Sequence, residues 1–339
     1  KEVRPTHIRI RGQYDVPGEL VERNTPGFLP PLKKSGKTAT RLDLAEWFVD
    51  PGHPLTARVA VNRFWQQFFG TGLVKTSEDL GTQGEVPIHP VLLDHLAVSF
   101  IESGWNVKAL VRQIVTSRTY RQSSVSTPDQ FVTDPENRML ARGSRFRMDA
   151  EMIRDQILAT SGLLVYTMYG NSVKPPQPDG LWKSVTMIGE RFKADTGEAV
   201  HRRSLYTYWK RTLPPPSMQV FDAPSREACT VLRSRTSTPL QALTLMHDPQ
   251  FVEAARAFGL RILREAGNSD RARVEFGFGV ATGRTPSFRE RAQVLGYLRA
   301  ERARFGAAPE EVERALGVGV TPRDEALSVV EQAAWMSVG

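Results

Sequence analysis

The chain has 339 residues, 40% of them hydrophobic and 24% charged, with a formal net charge of +8. This balance excludes intrinsic disorder and leaves length for one large core or two smaller ones. The apolar run from Val91 to Ile101 is broken by Asp94, His95 and Ser99, so no stretch reaches the roughly 20 apolar residues of a membrane span. The single cysteine, Cys229, excludes an internal disulfide, a CxxCH haem attachment and a thiolate-rich zinc site, and is expected to pack as a small buried thiol.

In chain order, residues 1–36 form an arm. The alternating phrase His7-Ile8-Arg9-Ile10-Arg11 predicts a short strand, followed by an extended strap ending Phe28-Leu29-Pro30-Pro31-Leu32. Residues 37–165 read as a helical half. Leu42, Ala45 and Val49 recur at helical spacing, and His53-Pro54 opens a helix through Val59, Ala60, Phe64, Trp65 and Phe68 that Gly70 stops. A glycine-rich connection over residues 70–88 leads to a helical hairpin, one helix carrying Leu92, Leu96 and Phe100, the other Val107, Leu110, Val111, Ile114 and Val115. A further helix is expected from Asp149 to Ser161.

Residues 166–215 are irregular and rich in proline, with Pro175, Pro176, Pro178 and Trp182. They end in the strand-like phrase Arg203 to Lys210, whose natural partner is the phrase near Ile8. The last segment, residues 216–339, reads as a second helical half. Thr238-Pro239, Thr285-Pro286 and Thr321-Pro322 each predict a helix start, because the threonine oxygen accepts a free backbone N–H and proline has none to leave unpaired. Asp248-Pro249 repeats the device. The expected fold is therefore mainly α, a multi-helix globular domain with a small antiparallel β-sheet formed by the N-terminal segment and a central strand, residues 37–339 making one domain.

Chemistry is less legible. The six histidines are scattered, and the spacing of His89 and His95 does not place two imidazoles on one helical face, so no metal site is expected. Asp79 and Glu85 are a candidate carboxylate pair for acid–base work, with His89 a third proton-transfer candidate. Arg203, Arg211, Arg233 and Arg235 are candidates for binding an anion, and equally for internal pairing with an aspartate such as Asp222. Arginine outnumbers lysine 35 to 10 and is spread along the chain, so the charge does not mark a specific nucleic-acid module. Tyr206, Tyr208, Trp209 and Trp182 suit either stacking on sugar rings or a packed sheet face.

Several phrases together are specific. They are His53-Pro-Leu-Thr-Ala-Arg-Val-Ala-Val-Asn-Arg-Phe-Trp65, Phe69-Gly-Thr-Gly-Leu-Val74, Asp79-Leu-Gly81, His89-Pro90, Gly104-Trp105, Ser117-Arg-Thr-Tyr-Arg-Gln122, Asp134-Pro-Glu-Asn-Arg138, Asp149-Ala-Glu151, Arg203-Ser-Leu-Tyr206, Phe221-Asp-Ala-Pro224 and Arg235-Thr-Ser-Thr-Pro-Leu-Gln-Ala242. From about residue 40 to the end the chain resembles the planctomycete C-terminal domain of unknown function 1553, departing from it at His247, where asparagine is expected. The resemblance implies the last part of a large exported protein, set behind a c-type cytochrome domain, with residues 1–36 as the junction and an extracytoplasmic location. It implies haem only in the upstream domain and no cofactor in this chain, and it transfers no catalytic residue.

The expected function is that of a binding module, leaning towards no catalysis. It would contact an anionic polysaccharide or a partner domain through the loop of residues 70–89 and the arginines at 203, 211, 233 and 235. The alternatives are a polysaccharide-acting enzyme using Asp79, Glu85 or His89, and structural support for the upstream cytochrome.

Overall fold

The computed structural model describes residues 4–178, 180–184 and 192–339. The chain forms two compact units, Lys1–Phe146 and Arg147–Gly339. It is mainly α, with 14 helices and one two-stranded antiparallel sheet among the described residues.

The first unit opens with the sheet. Strand β1 (Thr6–Arg9) pairs with β2 (Pro17–Val21), with Thr6 opposite Val21 and His7 opposite Leu20. The partner of the N-terminal strand is thus its own neighbour and not the central segment. A seven-residue return closes at small entropic expense, and Arg11 and Gly12, both at positive φ, make the bend. The phrase 203–210 instead holds a 3₁₀ turn at Ser204–Tyr206 and two isolated bridges, Val173 with Thr207 and Lys210 with Leu213, and a third bridge, Val165 with Arg202, lies just before it.

Helix α1 (Arg41–Val49) starts at a reciprocal cap in which Thr40 Oγ1 accepts the Asp43 N–H and the Asp43 carboxylate accepts the Thr40 N–H. Hydrogen bonds from Ser35 and Thr40 hold the Asp43 carboxyl well below the usual range. Then come α2 (Thr56–Phe69), α3 (Pro90–Glu102), α4 (Val107–Thr116), α5 (Arg118–Arg121) and α6 (Pro128–Thr133). The core of this unit is built on helical spacing. Val61, Trp65 and Phe69 of α2 meet Leu93, Leu96 and Phe100 of α3 and Leu110 and Ile114 of α4, so the expected hairpin exists and packs on α2.

The second unit contains α7 (Ala150–Ser161), α8 (Pro216–Val220), α9 (Pro239–His247), α10 (Pro249–Glu265), α11 (Asp270–Thr282), α12 (Phe288–Ala307), α13 (Pro309–Leu316) and α14 (Val329–Val338). Its core joins Phe258, Ile262 and Leu263 of α10 to Leu298 and Phe305 of α12 and Ala333, Ala334 and Trp335 of α14. At Gly259 a Cβ would lie 2.8 Å from the Met336 nitrogen, so α10 and α14 approach to backbone contact. Thr238 and Asp248 cap α9 and α10 as expected.

The other two threonine–proline signals mislead. Helix α12 begins at Phe288 because Ser287 and Glu290 complete a reciprocal cap, which a lone threonine at 285 cannot match. Thr321 starts no helix, since its N–H and hydroxyl both go to Glu253. Conversely Thr127-Pro128, with Gln130, caps α6. Cys229 is exposed and not buried. No helix of the described residues is long and apolar enough to cross a membrane.

Glu253 makes the second unit acid-sensitive. It is 3% exposed and accepts the N–H groups of Val320 and Thr321 and the Thr321 hydroxyl at 2.6–2.9 Å, with His201 Nε2 3.4 Å away. Burial opposes its ionisation, but the neighbouring His201 imidazole and the hydrogen bonds from Thr321 outweigh burial and bring the carboxyl down to about 2. A folded pKa below the unfolded one means the contribution is complete above the unfolded pKa and disappears as pH falls through the folded one. Glu253→Gln should therefore remove roughly 3 kcal/mol at pH 7 and much less at pH 2.5. Urea unfolding at both pH values reads the difference, and an equal loss at both would contradict it.

Candidate functional site

In the first unit, α2 fixes the connection of residues 70–88. Asn62, 1% exposed, donates from Nδ2 to the Val74 carbonyl at 3.0 Å and to Ser77 Oγ at 3.2 Å, while its Oδ1 accepts the Val74 N–H at 2.8 Å. Ser77 in turn donates to Gln66 at 2.7 Å. Leu73 and Val74 are consequently buried, and the glycine-rich stretch is partly core. The amide approaches so closely that a Cβ on Gly72 would lie 2.7 Å from it.

The predicted proton-transfer residues are engaged in this fixture. The Asp79 carboxylate accepts the Gly81 N–H at 2.7 Å and closes its own turn. Glu85 stands 4.0 Å from Lys75, which binds Glu136 more closely at 2.9 Å. His89 shares its Nε2 with the Arg138 carbonyl at 3.2 Å, and the Arg138 guanidinium donates to the carbonyls of Gly72 and Leu73. His89, Glu136 and Arg138 line a narrow cleft of about 20 Å³ beside Trp65, but Asp79 and Glu85 do not line it. Among the described residues no group of three His, Cys, Asp or Glu side chains is placed to hold a metal ion.

The predicted arginines, all in the second unit, also divide. Arg233 binds Glu151 at 2.6 Å and stands 3.7 Å from Asp149, and Arg235 stands 3.7 Å from Asp149. Both brace the N-terminus of α7, where carboxylates are also favoured by the helix dipole. Asp222 is taken by Arg147 and Thr236. Arg211 faces Glu227 at 3.8 Å with both side chains exposed, and Arg203 rests against Met168. None of the four lines the polar cleft of this unit.

That cleft is built around a residue not singled out from the sequence, Arg154. It lies on the buried stripe of α7 with Ala150 and Leu158, and it is 4% exposed. From the sequence Arg154 falls on the polar face of this helix with Glu151 and Asp155, opposite Ala150, Ile153 and Ile157; the structure buries it instead, because its guanidinium finds acceptors inside the unit. Its Nε donates to Gln250 at 2.9 Å, Nη1 to the Arg202 carbonyl at 2.9 Å and Ser204 Oγ at 3.3 Å, and Nη2 to the Val200 carbonyl at 2.6 Å. Asp155 is 3.9 Å away and accepts the Ser204 N–H instead. Burial lowers the guanidinium to about 10, against the attraction of Asp155 and Asp248, so it stays charged at neutral pH.

The walls are rigid for local reasons. Gln250 ties Arg154 to the Pro176 carbonyl, and Val173 exchanges backbone hydrogen bonds with Tyr206 and Tyr208. Arg202 donates to the carbonyls of Thr167, Tyr169 and Asn171 and lies 3.8 Å over the Tyr206 ring. Prolines 175, 176, 178, 215 and 216 line the cleft with restricted backbones. Tyr208 packs its ring near Trp182, itself 4% exposed, so that tryptophan belongs to the packed interior.

Four polar features face this space. Lys174 Nζ sits 5.0 Å from the Tyr208 ring centre. Burial pushes the Asp248 carboxyl up, although a backbone hydrogen bond from Gln250 and the charge on Arg154 pull the other way. Thr207 Oγ1 and the Gln177 amide nitrogen are buried and have no partner among the described residues. The interior volume is about 20 Å³, room for one water-sized group.

Fold and cleft together define a mainly helical, two-unit module with a cationic, proline-walled pocket in its second unit. The family model for a protein of unknown function, DUF1553, matches residues 40–298, and the chain belongs to that family. Neither the curated proteins nor the solved structures contain a match.

Proposed function

We propose that the chain is a binding module whose second unit takes the anionic group of an acidic polysaccharide in the cleft over Arg154. The observation that carries this reading is the pair of buried, unpartnered polar atoms, Thr207 Oγ1 and the Gln177 amide nitrogen, beside a buried guanidinium. Polar atoms in such surroundings weaken the fold unless something hydrogen-bonds them.

The sign of the field supports an anion. Arg154 donates only to neutral acceptors and Lys174 adds a second positive charge, against the single carboxylate of Asp248, whose ionisation burial disfavours. The interior holds a carboxylate oxygen or hydroxyl and not a ring, so the sugar would lie outside it against Tyr208 and the prolines. Arg203 and Arg211, on the surface, would add long-range attraction, while Arg233 and Arg235 hold α7 in position. An extracytoplasmic setting, implied by the family resemblance, suits such a ligand.

Calorimetric titration with oligogalacturonate, a sulfated oligosaccharide and a neutral oligosaccharide tests it. Acidic sugars should bind, weakening several-fold between about 50 and 300 mM salt, and Tyr208→Ala should lower the affinity about fivefold through lost stacking. Equal binding of neutral sugars, or no heat with any acidic one, would refute the proposal.

A further inference from the structure

We infer that the C-terminal helices carry a second, separate site for an alkyl carboxylate, a fatty acid or a molecule of that shape. Two adjoining spaces in the second unit share Phe258, Ala281, Val338 and Gly339. The wider one is a groove of about 840 Å³, walled by α7, α10, α12 and the end of α14 with side chains such as Ile157, Val252 and Tyr297. The inner one is a cavity of about 110 Å³, lined chiefly by apolar residues that include Val274, Phe278 and Val294.

Two residues of this lining, Trp335 and Arg273, carry buried donors without a partner. The Trp335 indole N–H belongs to a residue 0% exposed and has no acceptor among the described residues. Arg273 lines the same cavity with its Nε–H buried and unpaired, and no carboxylate among the described residues lies within ion-pair distance of it. Its neighbour Asp270 feels the charge of Arg273 but is hydrogen-bonded to Arg302, at 2.8 Å, and not to Arg273. Both Trp335 and Arg273 therefore await an acceptor.

Size and polarity select the occupant. A protein segment covering the groove would bury its apolar walls but could not enter a cavity of about 110 Å³. A carboxylate satisfies both donors at once, neutralises the guanidinium, and leaves its chain to run past Ala281 and Phe258 into the groove. The acidic-sugar cleft shares no lining residue with either space, so the two proposals stand or fall separately.

The test is a titration of the whole chain with saturated carboxylic acids of eight to sixteen carbons and the matching alcohols, below their micelle concentrations, read by tryptophan fluorescence and calorimetry. Affinity should rise about threefold to fourfold per added methylene until the groove is filled. Arg273→Gln should weaken the acids about tenfold or more and spare the alcohols. Ala281→Phe, at an exposed position, should block the passage and weaken both series, whereas Tyr208→Ala should change neither. Affinity independent of chain length, or an acid-to-alcohol ratio that Arg273→Gln leaves intact, overturns the inference. If Ala281→Phe disturbs folding, the Arg273 variant alone decides.

Discussion

Arg154→Leu will lower the thermal midpoint of the second unit by about 10 °C, corresponding to about 4 kcal/mol for a unit of this size. Leucine fills much of the space but donates nothing. The carbonyls of Val200 and Arg202 and the Gln250 amide oxygen would then be left buried without their donor. Removing a buried charge offsets part of this loss, which is why the figure stays below the sum of the separate bonds. Arg154→Lys separates charge from geometry. An ammonium keeps the charge but lacks the planar fork that reaches acceptors on α10 and on residues 200–204, so about half the loss should remain. Circular dichroism melts check both variants, and a midpoint within 2 °C of the natural chain would show that Arg154 does not organise this unit.

Asn62→Leu should destabilise the first unit by about 3 kcal/mol, because the buried Val74 N–H loses its acceptor and the Val74 carbonyl keeps only the longer bond from Ser77 Oγ at 3.3 Å. Asn62→Asp is expected to do no better. It keeps an acceptor for the Val74 N–H but loses the donor to its carbonyl and introduces a buried charge. Hydrogen exchange localises the effect, since the Val74 amide should lose protection before amides in the middle of α3. Unchanged protection at Val74 would mean that the loop is held by its apolar contacts alone.

These two residues also show what the sequence made legible. Periodicity exposes α2, α3 and α4, because their cores are built from neighbours three and four apart, and the capping chemistry at Thr238 and Asp248 is local enough to read directly. The mainly helical class follows. Partnering over distance does not. The strand near Ile8 could pair with either of two segments, and loop entropy, absent from a pattern of side chains, decides for the nearer. Thr321 has the composition of a helix cap but is claimed by Glu253, 68 residues earlier.

The site was hidden for the same reason. Arg233 and Arg235 catch the eye because they cluster in sequence, yet their carboxylates lie 80 or more residues away, at the N-terminus of α7. Arg154 reads as one charge on the polar face of an amphipathic helix, and only the structure places it on the buried stripe with Ala150 and Leu158. Asp79 and His89 sit in a loop of functional appearance whose glycines and hydrogen bonds fasten it to α2 and to Arg138. Unpaired atoms such as Thr207 Oγ1 have no sequence signature at all.

Thr207→Val tests the binding reading most directly, because it removes the buried hydroxyl while keeping the shape of the cleft. If that hydroxyl awaits a ligand, the variant should melt at or slightly above the natural chain and bind oligogalacturonate about tenfold more weakly. A variant that melts several degrees lower and binds the acidic sugar with unchanged affinity would contradict the account.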